Sequence, residues 1–488
     1  MKSVQFFGYG VAGKSLPVTA QRRLNCYYEI KADGDKQAIV VFGTPGESIF
    51  SDQSDAGGAV RGMHNFVSKN LLFCIIGNIL FEINATGTAT NRGSITPGTG
   101  IVPMEDNGTQ LLILDGTKGW IYNTSTTTLT QIADPDFPQN ATTVIFDSSY
   151  FLVDNPAVNG QFQKSASYDG TAWDPTDLGN MYSSSNQLNL LYALAGIVIV
   201  FGSYVTEFWV NQGTLGFPYA PQKSATQPYG LAAKRSVAPL DNTIAFLAQN
   251  ETGRLSIMSA QTYTPYRIST PDVDNIINSF PIYSDAVAMG YVLDGHPFYQ
   301  ITFPTAERTF LYDQSTNLWS EVQTGVGLTG RHNCNLGVGF NGNFYMGDAT
   351  VGKVYLQDPT SYTDDGMTIP RQIESRHTFD GYNTLGVDEL YLAMETGVGL
   401  QSGQGSNPQI MLQVSKDGGR TFGSERWAQV GKIGQYKDHR AIWRRLGSGR
   451  DFVFRWTMTD PVKFVIIGGG AVLRIGTDNE RSNGASQG

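Results

Sequence analysis

The sequence predicts an all-β fold in which a β-propeller of about six or seven blades precedes a C-terminal antiparallel β-sandwich. Glycine accounts for 56 of the 488 residues and charged residues for only 16%, a composition that favours many turns over charged helices. Short apolar runs separated by turn residues follow one another along most of the chain. These runs recur at an even spacing up to about Gly366, and beyond it they become longer alternating strands.

The even spacing defines a weak repeat. Apolar strands begin near Ala59, Ile101, Thr142, Leu188, Ser236, Asp285 and His332, at intervals of 42, 41, 46, 48, 49 and 47 residues. Within one repeat, LLFCIIGNILFEI (71–83) is two strands joined by Gly-Asn, a pair that tolerates the positive φ of a tight hairpin. Four strands every 40–50 residues or so are typical of propeller blades. A series of β-sandwiches would explain the strands but not their even spacing.

The same patterns divide the chain into four segments. Residues 1–58 are expected to form an extended arm that has little core of its own and partly joins the propeller. The propeller is assigned to residues 59–365 and the sandwich to residues 366–476, and the polar end, 477–488, is expected to be flexible. The best helix candidate is TPDVDNIINSF (270–280), which opens with Thr-Pro.

Composition and charge exclude several functional classes. A net charge of −9 argues against non-specific binding to a polyanion, although it permits DNA to pass without being gripped. Cys26, Cys74 and Cys334 are far apart and form no C-x-x-C, so neither a disulfide framework nor a structural zinc site is expected. The longest apolar run, residues 190–201, is too short to cross a bilayer, and no signal-peptide core opens the chain. We expect a soluble protein made in a cytoplasm, without a metal or cofactor.

The N-terminal stretch GYGVAGKS (8–15) matches the P-loop pattern G-x-x-x-x-G-K-S, and LLILD (111–115) looks like an aspartate-ended strand that would hold Mg²⁺. A P-loop needs a helix whose first amides point at the phosphates. The residues after Ser15, LPVTAQRRLNCYY, show no apolar stripe of helical period, and LLILD runs directly into GTKGWIY as one arm of a hairpin. The sequence therefore predicts no nucleotide hydrolysis and no role for Lys14.

A second motif, SKDGGRTF (415–422), fits S-x-D-x-G-x-T-F and resembles the Asp-box of sialidase-type propellers. Physically it is a hairpin turn in which Asp417 caps backbone amides, Gly419 takes a positive φ and Phe422 packs under the loop. The motif identifies no active site. With the aromatic side chains, it motivates one alternative function, a carbohydrate-binding or carbohydrate-cleaving β-propeller. The sequence shows no Ser/His/Asp grouping, metal-spaced cluster or close acidic pair, so no catalytic residue is assigned.

Ordered landmarks along residues 20–475 resemble one family. They are RRLNCYYE, VVFGTPGESIF, GAVRGMHNF, GIVIVFGSYVTEFWVNQG, YRISTPDVDNIINSF, HPFYQITFPTAERTFLYD, VSKDGGRTFGSERW and AIWRRLGSGRDFVFRW. Each piece is weak alone, but their order is specific. In this order they resemble the packaged-DNA stabilization proteins, the tail hub or nozzle proteins of short-tailed bacteriophages.

The resemblance implies a mechanical role without catalysis or cofactor. Proteins of this family form a ring, expected to be a hexamer, that is added beneath the portal and adaptor after the genome is packaged. The ring closes the DNA channel, retains the genome and offers surfaces to a tail needle, tailspike or fibre. Double-stranded DNA would pass through it without sequence-specific binding. The resemblance places the protein in the virion tail, assembled in the cytoplasm of the bacterial host, with no membrane insertion by this chain.

One segment departs from the acidic balance of the chain. Between Arg426 and Arg455, eight basic residues face only two acidic ones, Asp438 and Asp451. The candidate interface residues are Arg426, Lys432, Lys437, Arg440, Arg444, Arg445 and Arg450. Three interpretations remain open: a solvated strand face, DNA contact at the channel wall, or an interface with an acidic neighbour. On a regular strand, Arg444 and Arg445 would point to opposite faces, so one could pair within the sandwich while the other reaches a partner.

Overall fold

The computed structural model describes residues 8, 10–31, 39–183, 187–261, 263–381, 383–436 and 440–476, so the tail predicted at 477–488 lies outside the described residues. Residue contacts divide the chain into two compact units. The first comprises Met1–Gly46, Phe310–Gly330 and Pro359–Gly488, and the second comprises Glu47–Thr309 and Arg331–Asp358. Both units consist of β-strands joined by turns and loops, so the predicted all-β class is confirmed.

The N-terminal segment contributes three strands to the first unit. They are β1 (Arg23–Leu24), β2 (Cys26–Ile30) and β3 (Ile39–Gly43). β2 pairs antiparallel with β3, and Cys26 lies opposite Gly43. Cys26, Tyr28 and Val41 are at most 2% exposed. This part of the predicted arm therefore carries core residues, which lie in the first unit.

The chain then builds a long series of strands. They are β4 (Gly46–Asp52), β5 (Val60–Phe66), β6 (Leu71–Ile76), β7 (Ile79–Ile83), β8 (Ala89–Ser94), β9 (Met104–Asp106), β10 (Gln110–Leu114), β11 (Gly119–Asn123), β12 (Thr128–Gln131), β13 (Val144–Asp147), β14 (Tyr150–Asp154), β15 (Gln161–Ala166), β16 (Asp169–Asn180), β17 (Leu188–Leu194), β18 (Ile197–Gly202), β19 (Thr206–Asn211), β20 (Tyr219–Pro221), β21 (Gly230–Leu231), β22 (Ala238–Leu240), β23 (Thr243–Gln249), β24 (Leu255–Ala260), β25 (Tyr266–Arg267), β26 (Val287–Leu293), β27 (His296–Phe303), β28 (Arg308–Asp313), β29 (Leu318–Glu321), β30 (Cys334–Phe340), β31 (Asn343–Asp348) and β32 (Lys353–Asp358). Short 3₁₀ turns cover Ser54–Ala56, Val67–Lys69 and Lys223–Ala225.

Within the described residues, the second unit contains seven antiparallel sheets. Four are meanders of four strands, β5–β8, β9–β12, β13–β16 and β17–β20; the others are β21–β25, the hairpin β26–β27, and β30–β32 joined by β4. Each sheet contacts the next, and β30 of the last sheet contacts β5 of the first. The N-terminal strand β4 thus completes the last sheet, and the ring of sheets is closed. This is the β-propeller that the repeat predicted, and each of the seven predicted strand starts lies within three residues of a strand in a separate sheet.

Apolar side chains fill the spaces between adjacent propeller sheets. Aromatic pairs connect one sheet to the next: the ring centroids of Phe73 and Tyr122 lie 5.2 Å apart, and those of Phe201 and Phe246 lie 5.0 Å apart. Each such pair adds about 0.5–1.5 kcal/mol beyond the burial of its area. A blade therefore has two buried faces, which explains why its central strands read as continuous apolar runs.

Local sequence accounts for the turns and for the helix. Ile76 and Ile79 pair across a two-residue turn in which Gly77 has a φ of 59°, as the Gly-Asn pair predicted. Helix α1 (Pro271–Ile277) lies inside the predicted helical segment, and its first turn is capped because the Val273 amide donates to Thr270 Oγ1 at 3.3 Å. Among the described residues, no helix has the length and apolar character needed to cross a membrane.

The last strands complete the first unit. They are β33 (Thr363–Asp364), β34 (Met367–Thr368), β35 (Arg371–Glu374), β36 (Thr378–Phe379), β37 (Thr384–Met394), β38 (Gln409–Ser415), β39 (Arg426–Gln429), β40 (Ala441–Gly449), β41 (Asp451–Met458) and β42 (Val465–Gly476). One sheet includes, in this order, β28-β29-β1-β35-β41-β38-β39, with β36 paired to β41, and the other has the order β2-β3-β42-β37-β40. Side chains of both sheets, including Trp443, Phe454 and Trp456, form one buried core. The predicted C-terminal sandwich is confirmed, and β1, β2 and β3 are added to its sheets.

Candidate partner interface

The described residues of the P-loop pattern, 8 and 10–15, lack the helix that a phosphate site of this type requires. Within the described residues, the chain after Ser15 makes a turn rather than a helix, and the amides of Val18 and Thr19 both donate to the Ser15 carbonyl. A Cβ at Gly10 would lie only 2.3 Å from the carbonyl oxygen of Trp319, so this glycine is required by close packing. The structure therefore supports the structural interpretation of the motif.

The Asp115 carboxylate that the pattern would assign to Mg²⁺ also has a structural role. It accepts hydrogen bonds from the Thr117 and Lys118 amides and from Trp120 Nε1 at 2.8, 2.6 and 2.7 Å. Burial acts to raise the pKa of Asp115, but these hydrogen bonds, with one from Thr96, outweigh it and hold the value at about 2. The carboxylate is thus committed to the turn between β10 and β11.

Lys14 gives a direct test of this interpretation. Because its side chain is exposed and follows no helix, Lys14→Ala is expected to change the free energy of unfolding by less than about 0.5 kcal/mol. Urea unfolding of wild type and variant measures this. Appearance of ATP hydrolysis in the wild type and its loss in the variant would contradict the prediction.

The Asp-box also serves structure. Asp417 Oδ1 accepts from Ser415 Oγ and from the Arg420 and Thr421 amides at 2.6, 3.1 and 3.0 Å. The hydrogen bond from the Ser415 side chain has the largest effect on the pKa of Asp417. Together with the hydrogen bond from the Thr421 side chain, it lowers that pKa well below its usual range. Gly419 has a φ of 85°. The motif is the turn after β38 in the sandwich, as its residues predicted, and its carboxylate is occupied by that turn.

One buried group of possible metal ligands occurs among the described residues: Glu47, His332 and Cys334. The Cys334 amide donates to His332 Nδ1 at 3.2 Å, which places the proton of a neutral imidazole on Nε2. His332 Nε2 lies 3.2 Å from Glu47 Oε1 and therefore donates to it. A metal bound at Nε2 would need the opposite tautomer, so the geometry favours a hydrogen-bonded pair that ties β4 to the last propeller sheet.

The basic segment lies in the sandwich, on β39, β40 and the residues around them. Arg426, Lys432, Arg440, Arg444, Arg445 and Arg450 are all exposed, and Lys437 lies outside the described residues. Arg455, by contrast, is held inside the sandwich: its Nε donates to Glu374 Oε1 at 2.7 Å, and its guanidinium lies 3.5 Å from the centre of the Phe422 ring. Arg455 therefore belongs to the core structure rather than to the exposed basic surface.

The expected alternation of Arg444 and Arg445 is wrong. The pairing of β37 with β40 shifts between Val387 and Glu389, and Arg445 has a φ of 57°. This β-bulge leaves both arginines exposed, whereas Trp443 and Leu446 on either side are buried. The sequence pattern could not reveal it, because arginine gives no signal for a left-handed conformation.

Internal contacts hold this bulge but leave its charge accessible. Arg444 Nε donates to Glu389 Oε2 at 2.9 Å while its side chain remains 66% exposed. Arg426 Nη1 donates to the carbonyls of Arg444 and Arg445 at 3.3 and 3.2 Å, and Trp443 Nε1 donates to the Arg426 carbonyl at 2.8 Å. The bulge is thus fixed in position, while the surface pair contributes little to stability.

Large apolar side chains accompany the arginines, and the sequence interpretation did not include them. Leu400, Trp427, Ile433 and Tyr436 are 40%, 56%, 55% and 68% exposed. The loop that precedes Leu400 lies against the loop of Ile433 and Tyr436: the Thr396 hydroxyl donates to the Tyr436 carbonyl, and a Cβ at Gly399 would lie 3.1 Å from the Ile433 amide nitrogen. We call these four residues and the six described basic ones the basic–apolar surface. Arginine beside exposed aromatic rings is typical of protein–protein interfaces.

The fold is a closed β-propeller together with a β-sandwich that carries the candidate interface. The chain belongs to the family of bacteriophage P22 Gp10, whose β-propeller model matches residues 42–362 and whose β-sandwich model matches residues 370–473. It is accordingly a structural protein of the phage tail.

Other comparisons show only distant likeness. No curated protein matches the chain in sequence. A chain of the "Crystal Structure of Mitotic Checkpoint Complex" is 13% identical, with a TM-score of 0.43, covering 68% of this chain and 95% of its own. The computationally designed Ika8 protein is 10% identical, with a TM-score of 0.38. That match covers 63% of this chain and 99% of the Ika8 chain.

Proposed function

We propose that this protein is the hub, or nozzle, of a short phage tail: a ring beneath the portal and adaptor that closes the DNA channel. The observation that carries the proposal is the family match, which extends over both the propeller and the sandwich. In this role the protein retains the packaged genome, forms the conduit for ejection and provides an attachment platform for a tail needle, tailspike or fibre. It is assembled in the host cytoplasm, and its work is mechanical rather than enzymatic.

The ring is proposed to be a homohexamer in which the basic–apolar surface meets an acidic neighbour. The neighbour is either the next copy or the adaptor. A second copy, with its net charge of −9, has an excess of carboxylates that could meet the arginines. Averaged electron cryomicroscopy images of assembled tails test the arrangement. A six-fold ring under the portal is expected, and a monomeric attachment would contradict the proposal.

DNA contact at the channel wall is a less favourable role for the same surface. A conduit must release DNA quickly, and every phosphate contact made by a lysine or arginine strengthens binding. The exposed Trp427, Ile433 and Tyr436 side chains beside the arginines fit a protein partner better than a moving duplex. The net negative charge of the chain also suits a passage that does not trap DNA.

Particles that lack this protein are expected to lose packaged DNA whatever its sequence, because retention is steric. The measurement is the DNA content of particles from a deletion phage packaged with two unrelated genomes, and particles complemented with the wild-type protein are the control. Retention that depended on the packaged sequence would count against the proposal, since it would require base recognition.

A further inference from the structure

The seven propeller sheets surround a central cavity of about 510 Å³. Each sheet contributes side chains to its wall: Met63, Glu105, Phe146, Tyr192, Arg235, Val287 and Leu336. Among the described lining residues, Glu105 is the one carboxylate, and Lys234 and Arg235 are the two cations. Cavities with a few convergent polar groups are the usual location of small-molecule sites.

The two cations are adjacent and fixed in position. They lie in the connection between β21 and β22, yet both reach Thr142, which leads into the third sheet. Lys234 Nζ donates to Thr142 Oγ1 at 3.1 Å, and Arg235 Nη2 donates to the Thr142 carbonyl at 3.1 Å. These contacts cross from the fifth sheet to the third and hold both side chains against Thr142. Both residues line the central cavity, and Lys234 also lines a second, smaller pocket together with Thr142 and Asp154.

The nearby negative charge does not balance this pair. Burial lowers the pKa of Lys234 and of Arg235, and the negative charge of Asp154 opposes that shift. The Asp154 carboxylate already accepts hydrogen bonds from the Thr142 and Thr143 amides and from Thr142 Oγ1 at 2.7, 2.9 and 2.8 Å. Burial lowers the pKa of Arg235 to about 10, so it remains cationic at pH 7. Burial raises the pKa of Glu105 to about 7, with His64 opposing and Asp106 adding to the shift, so that carboxyl is only partly ionised.

We propose that the central cavity binds a small oxyanion, a phosphate or a carboxylate group, between Lys234 and Arg235. A guanidinium has five N–H donors in a planar fork that matches two oxygens of such a group. Of these, the structure shows one bonded to protein among the described residues, at Thr142, and Arg235 is one of the residues that line the cavity. Lys234 supplies a second, rotatable charge beside it. The site is independent of ring formation and of the proposed tail function.

Isothermal titration calorimetry of the full-length protein with inorganic phosphate and with succinate, at pH 7 and low ionic strength, tests the proposal. One-to-one binding of at least one anion is expected. Lys234→Gln and Arg235→Gln should each weaken it about tenfold or more, which corresponds to about 1.4 kcal/mol. Glu105→Gln should leave binding unchanged or stronger, since it removes the remaining negative charge from the wall. If just one of the two anions binds, the proposal is supported and that anion identifies the class of ligand.

The matched control is Lys118→Gln, an equal charge change at an exposed propeller turn. Absence of binding by both anions, or equal weakening by the Lys118 variant, would overturn the proposal. Arg235→Lys keeps the charge and removes the fork, so weakened binding with an unchanged thermal unfolding midpoint separates recognition from folding. If the glutamine variants do not fold, a structure of the wild type in phosphate decides: density between Lys234 and Arg235 supports the site, and its absence refutes it.

Discussion

Replacing Arg444 and Arg445 together with glutamate is expected to leave the isolated chain folded and to abolish its incorporation into phage tails. Both side chains are exposed on the bulge of β40, and the pair with Glu389 is a surface interaction. Its loss should cost no more than about 1 kcal/mol of stability. At a contact with an acidic partner, however, each reversal places like charges together, which costs several kcal/mol. The measurements are circular dichroism and urea unfolding of the monomer, and the amount of protein in purified particles.

The matched control is the double reversal Lys69→Glu and Lys118→Glu, which changes the net charge equally at exposed propeller positions. This control should assemble like the wild type. If the Arg444/Arg445 double variant is also incorporated normally, the basic segment is a solvated strand face and the interface is elsewhere. If neither double variant is incorporated into particles, net charge rather than this surface controls assembly.

Glu47→Ala is expected to destabilise the propeller by about 3 kcal/mol, because the substitution removes a buried acceptor. Glu47 is 3% exposed, and its carboxylate lies 3.2 Å from His332 Nε2 and 3.7 Å from Cys334 Sγ. These partners lie at the start of β30, in the propeller sheet to which β4 also belongs. Urea unfolding measures the loss, and hydrogen exchange should show that amides of β4 open first.

Asp52→Asn provides the comparison, since Asp52 is an exposed carboxylate on the same strand. Its effect should be below about 0.5 kcal/mol, as for most surface substitutions. Equal effects of the two substitutions would contradict the role of the buried pair. A wild-type protein whose stability falls on treatment with a metal chelator would instead indicate that Glu47, His332 and Cys334 hold a metal.

The propeller was accessible from the sequence because each blade is a local meander. Strands of one sheet follow one another in the chain and are joined by short turns, such as the one at Gly77, so the repeat spacing and the turn residues carry the pattern. The capped helix at Pro271–Ile277 is equally local. The sandwich was also predictable, since long alternating strands after Gly366 require a face to bury.

The positions of the N-terminal strands were not accessible in this way. β1 lies beside β35, where Arg23 is opposite Ile373, and β4 completes a sheet whose other strands begin at Cys334. These partners are about 300 residues away in sequence, and a single short strand carries no information about which distant edge it will pair with. The sequence of residues 1–58 therefore predicted an arm with little core, although the structure buries Cys26, Tyr28 and Val41.

The candidate interface shows the same division. The excess of basic residues between Arg426 and Arg455 is a property of composition and was visible without coordinates. Its geometry depends on a β-bulge that leaves Arg444 and Arg445 exposed, and on the packing of the loop at Gly399 against Ile433. Charge and strand period are local properties of the residues, whereas the bulge and the neighbouring loop arise only when distant strands pair and pack, which no single segment encodes.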